Sequence, residues 1–313
     1  LDSVYRPPMQ ALNLLSLSPL IQTDSLAERL NYLPLLAQVL RDNPQLNSVY
    51  IGWQDGDYLK LRPLINPGSQ QRFAAPERAA WMAWHIGNDD GHRHNSYLFL
   101  NADLKVIEAR MAADEGFDPR QRPWYAAANR ADQQLVTTPY VFFSTREFGT
   151  TLARGASDRA VLGADLTLER LSHTLSEQRV TPSSELILYT GDGVVIAYHD
   201  PQRLQHTAQG SNTLEPRRFQ ELGSTLLATI AQDGYQLQRQ TIRELEGQRW
   251  IIQQQRIGIP GSPDSYLAVL VPEAELLSDA YRLRRQSFWL SMAACLSLLG
   301  VTWLFCWRLR RDR

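Results

Sequence analysis

The chain has 313 residues, room for two domains of ordinary size. Its 32 lysines and arginines against 33 aspartates and glutamates leave no basic excess, which speaks against nucleic acid as a partner, and a hydrophobic fraction of 43% speaks against a disordered chain. Both cysteines, Cys295 and Cys306, fall in the apolar stretch near the end, so the remainder has neither a disulfide nor a thiolate metal site. Lys60 and Lys105 are the only lysines. The first residue is Leu rather than Met, so a preceding segment is expected.

Residues 1 to 43 read as helix. Leu26, Leu30, Leu33, Ala37 and Leu40 alternate at spacings of four and three, a one-sided apolar stripe. Ser25 with Glu28 forms a capping box, Pro34 predicts a kink or a junction of two helices, and Asn43-Pro44 ends the run. Ser48 to Trp53 and Tyr58 to Arg62 are predicted as a hairpin around Gln54-Asp55-Gly56-Asp57. Residues 64 to 78 and 87 to 95 read as loops. The second loop holds His92-Arg93-His94. Such a pair can chelate a metal, but no third ligand follows at a fixed spacing, so exposed side chains are expected and neither a metal nor a cofactor. Ser96 to Leu100 and Lys105 to Ala109 form a further hairpin.

Phe117-Asp118-Pro119-Arg120-Gln121-Arg122-Pro123-Trp124-Tyr125 carries the chemistry. Arginine offers a flat fork of donors suited to a carboxylate or phosphate. Trp and Tyr add large apolar faces with one polar tip each, and the two prolines stiffen the backbone. Together they predict a preformed, arginine-bearing, aromatic-walled pocket for a small anionic or zwitterionic molecule. The alternative is structural: Arg122 in an ion pair and Trp124 in the core.

Strands are predicted at Pro139 to Phe143, Gly149 to Gly155 and Ala160 to Asp165, then a helix at Leu168 to Gln178 and a linker at Thr181 to Ser184. The second half reads as strands Glu185 to Tyr189 and Val194 to His199, then a helix at Leu214 to Gln232. Strands follow at Tyr235 to Gln240, Arg249 to Ile257 and Tyr266 to Val271. Pro272-Glu273 opens a last helix. This is an α+β pattern of meandering antiparallel sheets. His199-Asp200 has no nucleophile at a recognisable spacing and reads as a turn cap. GxSxG and HExxH are both absent, so this region is not expected to be an enzyme.

Phe288 to Trp307 runs uncharged for a length that, at about 1.5 Å per residue, spans roughly 30 Å, a bilayer core. Trp289, Trp303 and Trp307 lie near its ends, as interfacial aromatics do. Arginines flank it at 282, 284 and 285 on one side and 308, 310, 311 and 313 on the other, a weak positive-inside bias.

The FDPRQRPWYAAA run resembles a signature of the extracytoplasmic double Cache sensor domains of bacterial receptors. Thr138-Pro139-Tyr140-Val141-Phe142, Gly149 to Ala153, Val161 to Leu168 and Gly191 to His199 match the same family in order. The resemblance implies two PAS-like antiparallel-sheet lobes on a long N-terminal helix, followed by a C-terminal transmembrane helix. Its implied divisions are 1–43 (long helix), 44–180 (membrane-distal lobe with the pocket), 181–272 (membrane-proximal lobe), 273–287 (juxtamembrane helix), 288–307 (membrane span) and 308–313 (start of the cytoplasmic part). Residues before about 287 would be periplasmic, the span would lie in the inner membrane, and a first spanning helix would precede Leu1.

By the same resemblance Arg122 and Trp124 hold a ligand carboxylate, Tyr125 and Tyr140 line the pocket, and Asp165 grips a ligand ammonium. Two positions depart from the amino-acid sensors, Phe142 in place of a second Asp and Phe117 in place of a Tyr. The implied ligand is therefore an amino acid or a simple carboxylate. The implied assembly is a homodimer, and the implied output is a nucleotide cyclase, HD-type phosphodiesterase, kinase or chemotaxis module. The alternative is a Cache module with a degenerate pocket, serving structure or dimerisation.

Overall fold

β1 (Ser48–Trp53) is buried along its whole length because both its faces are covered. Val49, Ile51 and Trp53 enter one core and Tyr50 enters another, the period-two alternation of a strand. β2 (Tyr58–Pro63) divides in the same way, Leu59 and Leu61 to the first core and Tyr58 to the second. β3 (Trp81–Asp89), β4 (His92–Leu100) and β5 (Val106–Met111) continue the sheet on that side. On the other side β6 (Gln134–Val136) and β7 (Tyr140–Val141) pair with β8 (Phe148–Ala156), β8 pairs with β9 (Ala160–Thr167), and β9 closes on β1. All of these pairings are antiparallel. The computed structural model describes residues 2–278 and Met292, apart from 66, 90–91, 114–115, 130–133, 157–158, 205–216, 235–238 and 259–263.

The N-terminal segment is not one long helix. It breaks into α1 (Asp2–Ser16), a 3-10 turn at Pro19–Gln22, α2 (Leu26–Leu30) and α3 (Leu33–Asp42). α1 ends at Ser16, Pro19 opens the 3-10 turn at a position where proline is tolerated, and the extended Thr23 leads into the Ser25 cap, where the capping box forms as expected. Pro34 sits in the first turn of α3, which is the junction anticipated there. α1 packs on β8 and β9, and α3 on β1 and β2, closing the first core.

A second correction concerns the loop foreseen at 87 to 95: residues 87–89 and 92–95 extend the β3–β4 hairpin, and 90–91 lie outside the described residues. Two of their polar side chains find partners elsewhere in the chain. Trp84 Nε1 donates to Asn95 Oδ1 at 2.6 Å, and Arg93 donates to the Phe117 carbonyl at 2.8 Å. His92 is exposed, and among the described residues no group of three or more His, Cys, Asp or Glu could hold a metal ion. The loop from 64 to 78 contains α4 (Pro67–Arg72), and the motif helix is α5 (Pro123–Ala128), packed on β8 and β9. The strand foreseen at Pro139 to Phe143 shortens to β7, because the chain turns at once and Phe142 N–H donates to the Glu147 carbonyl at 2.8 Å.

α6 (Leu168–Glu177) leads to the second sheet, capped by Thr167, with Leu168, Leu171 and Leu175 buried. That sheet holds β10 (Glu185–Thr190), β11 (Val195–Tyr198), β12 (Arg239–Leu245), β13 (Gln248–Ile257) and β14 (Ser265–Pro272), in the antiparallel order β11-β10-β14-β13-β12. Buried Ser172 on α6 accepts from the Tyr198 backbone N–H at 3.2 Å and donates to the Leu168 carbonyl at 2.6 Å, which fixes the linking helix to β11. Of the helix foreseen at 214 to 232, residues 214–216 lie outside the described residues and the remainder is broken in two. Phe219–Leu222 is a 3-10 turn, Gly223 takes φ 71°, and α7 (Thr225–Asp233) starts afresh from the Ser224 cap. α8 (Glu273–Leu276) follows β14. Among the described residues no helix is long and apolar enough to cross a membrane, and the 288–307 span, Met292 aside, lies outside them.

His199 follows β11 with its ring against Tyr198, the centroids 4.2 Å apart. Burial, and then the nearby cations Arg179 and Arg203 against one Asp200, lower its pKa from 6.5 to about 4. The unfolded chain therefore takes up this proton near pH 6.5, while the folded chain resists until about 4. Stability is expected to fall as pH drops through that window and to level off below it. Thermal melts between pH 7 and pH 4 check this, and His199→Gln should flatten the slope.

Candidate functional site

The second core face of the first sheet carries the candidate site. Register places Ser48 beside Asp165 and Asp165 beside Thr151, so three neighbouring strands converge on one carboxylate. Tyr50 is registered with Lys60, and Lys60 with Trp84, which brings a lysine into the same layer. Gly163 has to be glycine here, since a Cβ would stand 2.2 Å from a Tyr50 ring carbon.

Asp165 is 2% exposed and fully partnered. Its Oδ1 accepts from Tyr50 at 2.6 Å and from Thr151 at 2.8 Å, and its Oδ2 accepts from Ser48 at 3.0 Å and from Lys60 Nζ at 2.8 Å. With Thr151 donating to Asp165, Tyr140 donates to Thr151 Oγ1 at 2.6 Å. Burial pulls the Lys60 pKa down and Asp165 pushes it back up, leaving it below the ordinary lysine value. Burial, and after it the charge of Asp165, hold the hydroxyls of Tyr50 and Tyr140 above the usual tyrosine value, so both remain donors.

Arg122 is the N-cap of α5, its backbone extended ahead of Pro123. Its guanidinium donates to the Val141 carbonyl at 3.3 Å and lies 5.7 Å from the Tyr140 ring centroid and 5.8 Å from that of Phe143. Among the described residues no carboxylate forms an ion pair with it, so most of its donor fork is uncommitted. Trp124 is buried edge-on to Tyr50, the rings 4.8 Å apart.

Arg122, Trp124, Tyr140 and Asp165 line one hollow, with Lys60 and Phe142 also in its wall. Tyr125 is not among its lining residues and lies buried beside Trp124 and Gly52. The hollow measures about 20 Å³, roughly the room of one water. Phe142 and Phe143 form part of its wall, Phe142 packed where a Cβ on Gly149 would meet its ring at 2.1 Å. Lys60 is the residue that motif reading missed. The available signal was a lysine inside the otherwise apolar Tyr58-Leu59-Lys60-Leu61 run, on the same face as Tyr58.

No protein-family model matches the chain. It is 30% identical over 177 residues to Adenylate cyclase 1 of Rhizobium meliloti strain 1021, spanning 55% of this chain and 27% of that protein. It is 27% identical over 134 residues to the methyl-accepting chemotaxis protein PctB of Pseudomonas aeruginosa, spanning 41% of this chain and 21% of that protein. The chain thus spans about a quarter of the length of these curated relatives. Among solved structures, the ligand-binding domain of the Pseudomonas fluorescens chemoreceptor CtaA, in complex with L-serine, shares the fold at a TM-score of 0.50 and 17% identity, covering 87% of this chain and 90% of that one. Such chemoreceptor domains are double Cache sensors, and the likeness is to a sensor fold, not to a catalytic domain.

Proposed function

We propose that this chain, which has the double Cache fold of bacterial sensor domains, senses a small carboxylate that carries no ammonium group. One observation carries the reading. Lys60 Nζ stands 2.8 Å from Asp165, where a ligand ammonium would have to bind. The acid of the site is therefore matched from within, while Arg122 is unmatched and leaves the hollow one net positive charge. A monocarboxylate balances that charge, and Trp124 and Tyr140 offer apolar walls to its hydrocarbon end. A zwitterion would bring a second ammonium against Lys60.

Entry requires part of the wall to move, since the hollow of about 20 Å³ admits no metabolite as it stands. A ligand that favours the opened arrangement shifts the balance by its differential affinity only. α6 and its Ser172 tie to β11 offer the path to the proximal lobe. In this reading the lobes lie in the periplasm as a homodimer, residues 288 to 307 span the inner membrane, and the output is cytoplasmic. The adenylate cyclase among the partial relatives supports a cyclase output.

Isothermal titration of the whole chain in detergent micelles with short monocarboxylates tests the reading. Arg122→Ala is expected to weaken binding roughly ten- to hundredfold, the worth of one charge-assisted hydrogen bond. Unchanged affinity in that variant would remove Arg122 from the site. A second reading, a pocket that binds nothing and serves assembly, is favoured by the small hollow, and silence in the same titration would select it.

A further inference from the structure

A cleft of about 900 Å³ opens at the foot of the same sheet face, walled by β2, α4, the turn after β7 and α6. Two buried polar groups in its wall lack partners. Arg62 is 5% exposed and its Nε meets no acceptor, and Thr145 is 3% exposed and its Oγ1 is also unmatched. Phe73 covers the Arg62 guanidinium at 5.0 Å, and among the described residues no carboxylate forms an ion pair with it. Arg72 and Arg170 add two further guanidinium groups to the lining. Arg62 and Thr145 both line the cleft and neither side chain is tied up by an acceptor at these atoms, so a ligand that reaches this wall meets two donors.

We propose that this cleft is a second binding site, taken by a small molecule that presents a carboxylate or phosphate group to Arg62 and Thr145. A guanidinium and a hydroxyl are both donors, so the group they share must be an acceptor, and an oxyanion meets both. Glu147, Glu169 and Glu177 line the same walls and oppose a polyanion, so the rest of the ligand is neutral or cationic. Arg122 is not a lining residue, which makes this site separate from the hollow above it. Its position gives it a regulatory reach. Arg62 lies two residues along β2 from Lys60, and α6, the opposite wall, leads to the proximal lobe. A bound ligand holds the distal sheet to that helix.

The test is a titration of the whole chain in detergent micelles with sodium acetate, glycine and inorganic phosphate. Wild type is compared with Arg62→Met, Thr145→Val and Arg122→Ala. At least one probe is expected to show a saturable phase at least tenfold weaker in Arg62→Met and several-fold weaker in Thr145→Val, and that phase should persist in Arg122→Ala, which removes only the acetate phase of the first hollow. Phosphate alone would name a phosphate-bearing ligand, and acetate or glycine alone a carboxylate. Removing an unpaired buried charge favours folding, so Arg62→Met should melt no lower than wild type, and Thr145→Val carries the test if it does not. No saturable binding, or binding that neither Arg62→Met nor Thr145→Val weakens, overturns the proposal. Loss in Arg122→Ala alone would support the first site and reject this one.

Discussion

Lys60→Met is expected to cost roughly 3–5 kcal/mol of unfolding free energy, the penalty for stranding one partner of a buried ion pair. Lys60 and Asp165 are 4% and 2% exposed, and their contact at 2.8 Å supplies the carboxylate with its one cationic partner among the described residues. Ser48, Tyr50 and Thr151 would still donate to Asp165, but neutral hydroxyls do not offset a charge buried in the sheet. Adding Asp165→Asn should recover most of the loss, because the double variant leaves neither member of the pair charged. Urea melts of the two single variants and the double variant measure this coupling. A full additive loss would mean that the pair is not the source. Lys60→Ala carries a functional corollary: it leaves Asp165 facing the hollow, and affinity should move from plain carboxylates towards amino acids.

Arg29→Met is expected to cost a similar amount, roughly 3–5 kcal/mol. Arg29 is 1% exposed on α2, and it joins the N-terminal segment to the sheet. Its Nη1 donates to Asp57 at 2.7 Å, and its guanidinium lies 3.9 Å from the Trp53 ring centroid. Arg29→Lys should recover only part, since an ammonium has neither the planar fork nor the stacking face. Chemical melts of the two variants decide it, and equal stability of Arg29→Lys and wild type would reduce the role to charge alone.

The fold was legible where one period ruled a segment. Leu26 to Leu40 showed its stripe, Ser25 and Glu28 their box, and the β1–β2 hairpin its turn residues. It was not legible where a long-range contact decided the local shape. His92 to Asn95 look like loop residues from their polarity, but Arg93 and Asn95 are matched by Phe117 and Trp84, groups that the chain order does not bring near. The helix foreseen at 214 to 232 was right only over its second half, for the opposite reason. Its composition suits a helix, but Gly223 in a left-handed conformation breaks the run and Ser224 caps a new one. At the site, Arg122, Trp124, Tyr140 and Asp165 were named from the motifs, and they line one hollow. Lys60 escaped because its meaning depends on the strand register that places it beside Tyr50 and within reach of Asp165. A lysine in a strand carries no such information until the pairing is known.

The most direct measurement is a paired calorimetric titration of the whole chain with propionate and with L-alanine, molecules that differ only by the amino group. Propionate is expected to bind, and alanine to bind at least tenfold more weakly, because Lys60 already occupies the place beside Asp165. Tighter binding of alanine than of propionate would contradict the internal pairing as the feature that selects the ligand.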